Sequence, residues 1–315
     1  MVSAFPDLRT LSAGLTSVLS GNGPVTVLDR APNHYLSSYA SEIVTCRCGT
    51  EELRLFCKYS DGGHGASGHG HWGGLDYEAE VYRQVLSPAA VATPRFYGTY
   101  TDAKTGFLWL FLQYLEESLR ISKSPERMPH AARWLGQFHA DQERRLARAP
   151  LAWLRCYDAA SYAGWAQRTL EFAGPLRDRF PWLRPLCGRF MESLTGLLAA
   201  PQTVVHGEFY PQNVLCQDGK VYPVDWESAA IAAGEVDVAC LTDDWGPEIA
   251  RLCEREYEQT RWPAGAPARW RETIALARVY VHLRWLGDLP DLAVEESGWW
   301  RFDELRAAGE QAGLI

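Results

Sequence analysis

At 315 residues the chain is long enough for two modest domains or one large one, and its apolar (47%) and charged (22%) fractions are those of an ordinary globular protein. The formal charge of −8 is spread along the chain with no basic stripe or arm, which argues against nucleic acid as a main partner because backbone binding needs clustered Lys and Arg. The most apolar stretch, Phe107 to Leu115, is too short to cross a bilayer, and the opening MVSAFPDLRTLSAG lacks the basic start and apolar run of a secretory signal. The expectation is a cytoplasmic protein with no membrane partner, its oligomeric state left open.

The first third reads as strands with one helix. Val25 to Leu28, Ser41 to Cys48 and Leu53 to Tyr59 are rich in β-branched and aromatic residues, with a hairpin connection at 49 to 52. Cys46 and Cys48 fall on one face of the second strand, a spacing that suits burial as well as it suits a metal. The eight cysteines contain no C-x-x-C pair and read as small buried hydrophobes. A Gly- and His-rich segment, Ser60 to Gly74, then forms a loop. Its His64, His69 and His71 have no Asp, Glu or Cys at regular spacing beside them, so a flap fits better than a metal site. A helical pattern, DYEAEVYRQVL, ends before Ser87-Pro88, and two further strands follow at Tyr97 to Tyr100 and Phe107 to Leu112.

From about Met128 helical periodicity takes over, in HAARWLGQFHADQERRLAR, SYAGWAQRTLEFAG and LRPLCGRFMESLTGLLAA. A β-rich interruption from Thr203 to Trp226 breaks it, and helices resume to the end. The layout is α+β and bilobal, with a small β-rich lobe over residues 1–112 and a larger, mainly helical lobe over 113–315.

The informative segment is VVHGEFYPQNVLCQDGKVYPVDWE, Val204 to Glu227. Asn213 comes five residues after Glu208, and Asp225 twelve after Asn213, across a turn at Gln217 to Lys220. A hairpin of Asn213 to Cys216 with Val221 to Val224 would bring Asn213 and Asp225 close together. Phosphoryl transfer needs such a set: one carboxylate to orient or deprotonate a hydroxyl, and an amide oxygen with a second carboxylate to hold Mg²⁺ on the phosphates.

These residues resemble the aminoglycoside phosphotransferase and choline kinase group of kinase-like enzymes, whose catalytic loop reads H-G-D-x-x-x-x-N with a metal-binding Asp about a dozen residues later. His206, Gly207, Asn213 and the Val224-Asp225-Trp226-Glu227 run match in place. Gly234 to Ala239 resembles the family's G-x-x-D-L-A segment, and Leu135 to Ala140 its L-x-x-x-H-A helix. The resemblance implies a protein-kinase-like fold, ATP or GTP as co-substrate, Mg²⁺, and a small-molecule acceptor such as an aminoglycoside-like antibiotic or another natural product. Glu208 stands where the family has Asp, carrying the carboxylate roughly 1 to 1.5 Å further out. Its implied role is base or orienter; the alternative is a nucleotide-binding relative without turnover, acting as a sensor or partner protein.

The resemblance assigns the remaining parts as follows. Lys58, at the end of an apolar strand, would hold the phosphates, paired with Glu78 in Glu78-Ala79-Glu80-Val81-Tyr82; Glu80 would be solvated. Ser37 and Ser38 would cover the nucleotide, and the backbone of Gln113 to Leu115 would face its base. His206 and Asp237 would brace the catalytic loop. Apart from the resemblance, the acids after it, with Asp243, Asp244 and Glu248 foremost, read either as solvated helix surface or as contacts to a cationic acceptor, and Trp245, Trp299 or Trp300 either as core or as a stack for it. No D-F-G or A-P-E appears, which speaks against a protein kinase.

Overall fold

The computed structural model describes residues 5–19, 23–34, 39–60, 73–289, 291 and 294–315. The chain divides into two compact units that interleave in sequence: residues 1–119 with 215–228, and residues 120–214 with 229–315.

The first unit is built on a five-stranded antiparallel sheet of order β1-β2-β3-β5-β4. The strands are β1 (Val25–Pro32), β2 (Ala40–Cys48), β3 (Glu51–Tyr59), β4 (Phe96–Thr101) and β5 (Leu108–Gln113). Alternation sorts the side chains of β3 to opposite faces. Leu55, Cys57 and Tyr59 join Val44, Cys46, Cys48, Trp109 and Phe111 in a core. Helix α1 (Leu8–Leu19) closes that core with Leu11 and Leu15. Both cysteines of β2 are thus packing residues. Lys58 points to the other face, toward α2 (Leu75–Val81). That helix continues as one π turn, Tyr82–Leu86, over the residues whose periodicity reads as an α-helix. Glu80 is half-buried, accepting from Arg83 and Gln84, rather than fully solvated. After a two-residue strand β6 (Leu119–Arg120), this unit regains the chain in the hairpin of β8 (Val214–Gln217) and β9 (Lys220–Pro223). Asp218 and Gly219 both have positive φ (49° and 74°), the requirement of a two-residue hairpin turn and the reason for Asp-Gly there.

The second unit is mainly helical. Its helices are α3 (Met128–Arg148), α4 (Ala159–Phe172), α5 (Leu183–Glu192), α6 (Thr195–Leu198), α7 (Glu235–Thr242), α8 (Pro247–Arg261), α9 (Trp270–Asp288) and α10 (Trp300–Gln311). Asp158 caps α4, its Oδ1 accepting the Ser161 N–H at 2.8 Å. Helix α9 runs through the middle, packed by α4, α6, α7 and α10, and is buried nearly all round. Helix α3 lies along α8 and against the short antiparallel pair β7 (Gln202–Val205) and β10 (Ala230–Ala233). No helix among the described residues is long and apolar enough to cross a membrane.

Candidate active site

In the first unit, β3 delivers Lys58 between two carboxylates. Its Nζ donates to Glu78 Oε2 at 2.8 Å and Oε1 at 3.0 Å, and to Asp225 Oδ1 at 2.7 Å. Lys58 and Glu78 are buried, and the Asp225 side chain is 30% exposed. Burial alone would lower the Lys58 pKa; the charges of Asp225, Glu78 and Glu227 outweigh it and hold the ammonium well above its ordinary value. Burial also raises Glu78, against the pull of Lys58. Glu78 Oε1 further accepts the Trp226 N–H at 3.3 Å, fixing the chain beside Asp225. Asp225 itself has φ +72°, a strained backbone for a residue with a Cβ.

One ammonium between the Glu78 and Asp225 carboxylates leaves this group of contacts with a net charge of about −1. Such an excess, presented on hard oxygens, fits a divalent cation of the Mg²⁺ type. Asn213 lies in the second unit at the end of a 3₁₀ turn, Pro211–Asn213. Its Nδ2 donates to the Glu208 carbonyl at 3.1 Å, which leaves Oδ1 as the amide oxygen suited to coordinate a metal ion.

The catalytic loop in the second unit hangs on Asp237. This buried carboxylate, at the start of α7, accepts the N–H of His206 at 2.6 Å and of Gly207 at 2.9 Å. Gly207 has φ +84°, which only glycine adopts without strain. His206 Nδ1 accepts the Glu208 N–H at 3.2 Å, so the histidine braces the loop. Behind Asp237, the buried His139 of α3 spans from Asp237 Oδ2 (3.2 Å) to the Tyr257 hydroxyl (3.0 Å). Burial holds His139 below its ordinary pKa. Arg261 of α8 donates to Tyr257 and, at 3.0 Å, to Glu143.

Glu208 itself is 18% exposed at its side chain and is bound by a residue that the sequence reading does not single out. Arg284, buried on α9, donates from Nη1 to Glu208 Oε1 at 2.9 Å and from Nη2 to the Tyr210 hydroxyl at 2.8 Å. A signal for it exists: Arg284 interrupts the apolar run Val279 to Leu286, and a buried guanidinium needs a carboxylate.

The other candidate residues fall as follows. Gln113 ends β5 with its N–H on the Arg95 carbonyl (2.8 Å), and the Leu115 carbonyl accepts the Ser118 hydroxyl (2.9 Å). Ser37, Ser38, His64, His69 and His71 lie outside the described residues. Among the described residues no group of three His, Cys, Asp or Glu is arranged to hold a metal. Asp243, Asp244 and Trp245 line a cavity of about 760 Å³ between α7, α8, α9 and α10, and Glu248 does not. Asp243 is engaged by Arg301 at 2.8 and 3.0 Å; Asp244, with φ +60°, is half exposed and lies 3.6 Å from the same guanidinium. Burial, with Asp243 beside it, raises the Asp244 pKa. Trp299 and Trp300 are each covered by an arginine, Arg179 and Arg301.

The fold has solved counterparts. The choline kinase LicA from Streptococcus pneumoniae superimposes with a TM-score of 0.61 at 12% identity, over 98% of this chain and 99% of that one. A GDP complex of aminoglycoside 2'-phosphotransferase-IIIa gives 0.64 at 11% identity, over 97% and 99%. A fructosamine-3-kinase described as putative, from Thermobifida fusca YX-ER1, gives 0.62 at 17% identity, over 98% and 100%. At these identities the likeness speaks for the fold, a kinase-like one. No curated protein sequence matches the chain. The sequence profile of the phosphotransferase enzyme family (APH) matches residues 74–283, two thirds of the chain, and with it the protein belongs to that family of small-molecule phosphotransferases.

Proposed function

We propose that this enzyme transfers the γ-phosphoryl group of Mg²⁺-bound ATP or GTP to a hydroxyl of a small molecule, an aminoglycoside-like antibiotic or another natural product. The observation that carries the reading is the buried Lys58 held between Glu78 and Asp225. A buried ammonium with excess carboxylate around it is suited to exchange Asp225 for phosphate oxygens once a metal ion takes up that carboxylate.

In this reading Lys58, fixed by Glu78, meets the α- and β-phosphates, and the backbone from Gln113 to Leu115 faces the base. Asp225 and the Asn213 Oδ1 are the metal ligands, and Ser37 and Ser38 cover the nucleotide. When bound, the ion neutralises charge on the phosphates as it builds up in transfer. Glu208 accepts or orients the acceptor's hydroxyl proton, on a loop held rigid by Asp237 and His206. Of the three candidate acceptor acids, Asp244 is the more exposed carboxylate on the cavity; Arg301 engages Asp243 at 2.8 Å and Asp244 more loosely at 3.6 Å, and Glu248 does not line it.

The test is transfer of labelled γ-phosphate from ATP and GTP, with Mg²⁺, to a panel of amino sugars, nucleosides and amino alcohols. Glu208→Gln should lower transfer by about 10²- to 10⁴-fold while leaving nucleotide affinity within about threefold. An active Glu208→Gln variant would remove Glu208 from the chemistry.

A further inference from the structure

A carboxylate that serves an acceptor hydroxyl must point one way, and the loop fixes only the backbone of Glu208. Its side chain is fixed from elsewhere. Arg284 is 4% exposed at its side chain and divides its guanidinium between Glu208 Oε1 at 2.9 Å and the Tyr210 hydroxyl at 2.8 Å. Tyr210 in turn lies beneath the guanidinium, 5.7 Å from ring centroid to charge. Two donor arms on two residues of one loop leave the fork no freedom to swing.

Length is the second element. An Asp at 208 on the same backbone withdraws the carboxylate by roughly 1 to 1.5 Å, stretching the 2.9 Å contact past hydrogen-bonding range. Arg284 sits on a helix packed by α4, α6, α7 and α10 and cannot follow.

We propose that Arg284 is a positioning residue matched in length to Glu208: it holds the carboxylate in its working direction, and glutamate is required because aspartate does not reach it. Tyr210 anchors the other arm of the fork. The inference rests on the phosphotransferase reading of Glu208 and adds to it the residue that makes Glu rather than Asp the working acid in this chain.

A four-protein cycle tests it: the unsubstituted chain, Glu208→Asp, Arg284→Met and the pair, each assayed for Mg²⁺-ATP turnover with the best acceptor of the panel and with water alone. Arg284→Lys, which keeps a charge near Glu208, is a fifth protein and guards against a failure of Arg284→Met to fold. Either single substitution should lower kcat about ten- to a hundredfold with the KM for ATP within twofold. The double variant should be no more than twofold slower than the worse single one, because aspartate loses nothing further once Arg284 is gone. Arg284→Lys should recover part of the loss of Arg284→Met, or, if the latter does not fold, stand between the unsubstituted chain and Glu208→Asp. Losses that multiply in the double variant, or a rise in KM in place of a fall in kcat, would overturn the pairing while leaving the phosphotransferase reading intact. An unsubstituted chain that turns over ATP with neither acceptor nor water would overturn both.

Discussion

Lys58 shows how a single side chain can be read twice. As a lone lysine closing an apolar strand it asks for a counter-charge, and Glu78 on the following helix provides one at 2.8 Å. Its second contact, to Asp225, joins residues 167 positions apart, a distance no local pattern encodes. Lys58→Met should weaken Mg²⁺-ATP binding at least tenfold, about 1.4 kcal/mol, measured by calorimetry; unchanged affinity would take the lysine off the phosphates. Glu208, Asn213 and Asp225 are legible as candidates because phosphoryl transfer calls for their residue types, and Asp237 through the resemblance of Gly234 to Ala239 to the family's G-x-x-D-L-A segment. Arg284 and Tyr257 are not, since each acts through a neighbour brought close only by helix packing, at separations of 76 and 118 residues. The arginine inside the apolar run Val279 to Leu286 is the one trace of Arg284 that the sequence carries.

At the scale of elements, β strands and long helices followed from alternation and 3.6-residue periodicity, because burial of one face leaves that imprint. Helix α1 carries the same imprint, with Leu8, Leu11, Leu15 and Leu19 at helical spacing and Leu11 and Leu15 buried, in a first third that reads from sequence as strands with one helix. The π turn after α2 leaves none, as it costs a single extra residue. Tight approaches of backbone are likewise visible only in space. A Cβ on Gly234, at the entry to α7, would meet Arg261 Nη1, His139 Nδ1 and the Tyr257 hydroxyl within 2.6 Å. Gly234→Ala should therefore spread the network behind Asp237, costing about 1–3 kcal/mol in urea unfolding and lowering kcat with it. Gly164, on α4 with open space around it, is the control, and Gly164→Ala should not reduce stability. Equal behaviour of the two variants would argue against the network.

At the scale of the molecule, the second unit contains a buried titratable group outside the catalytic loop that sets a pH dependence of stability. His282 Nδ1 lies 3.0 Å from Arg301 Nη1; arginine only donates, so the ring must be neutral with its lone pair on Nδ1. Burial, with Arg301 and Arg278 nearby, lowers its pKa from 6.5 to about 3. The unfolded chain takes up this proton near pH 6.5 and the folded one only near 3, so this contribution is complete above 6.5 and falls as the pH drops below it. The slope from this one group reaches about 1.4 kcal/mol per pH unit. His282→Gln should flatten the urea midpoint between about pH 6.5 and 4.5 relative to the unsubstituted chain, and an unaltered slope would assign the acid sensitivity to other groups.

The phosphotransferase proposal turns on Asp225, bound to Lys58, as a ligand of the metal ion that carries the nucleotide phosphates. It is tested most directly by the initial rate of γ-phosphate transfer against Mg²⁺ concentration, in the unsubstituted chain and in Asp225→Asn. Saturable Mg²⁺ dependence is expected in the former and a loss of about 10²-fold or more in the latter. Transfer by Asp225→Asn at an undiminished rate and with the same Mg²⁺ dependence would contradict it.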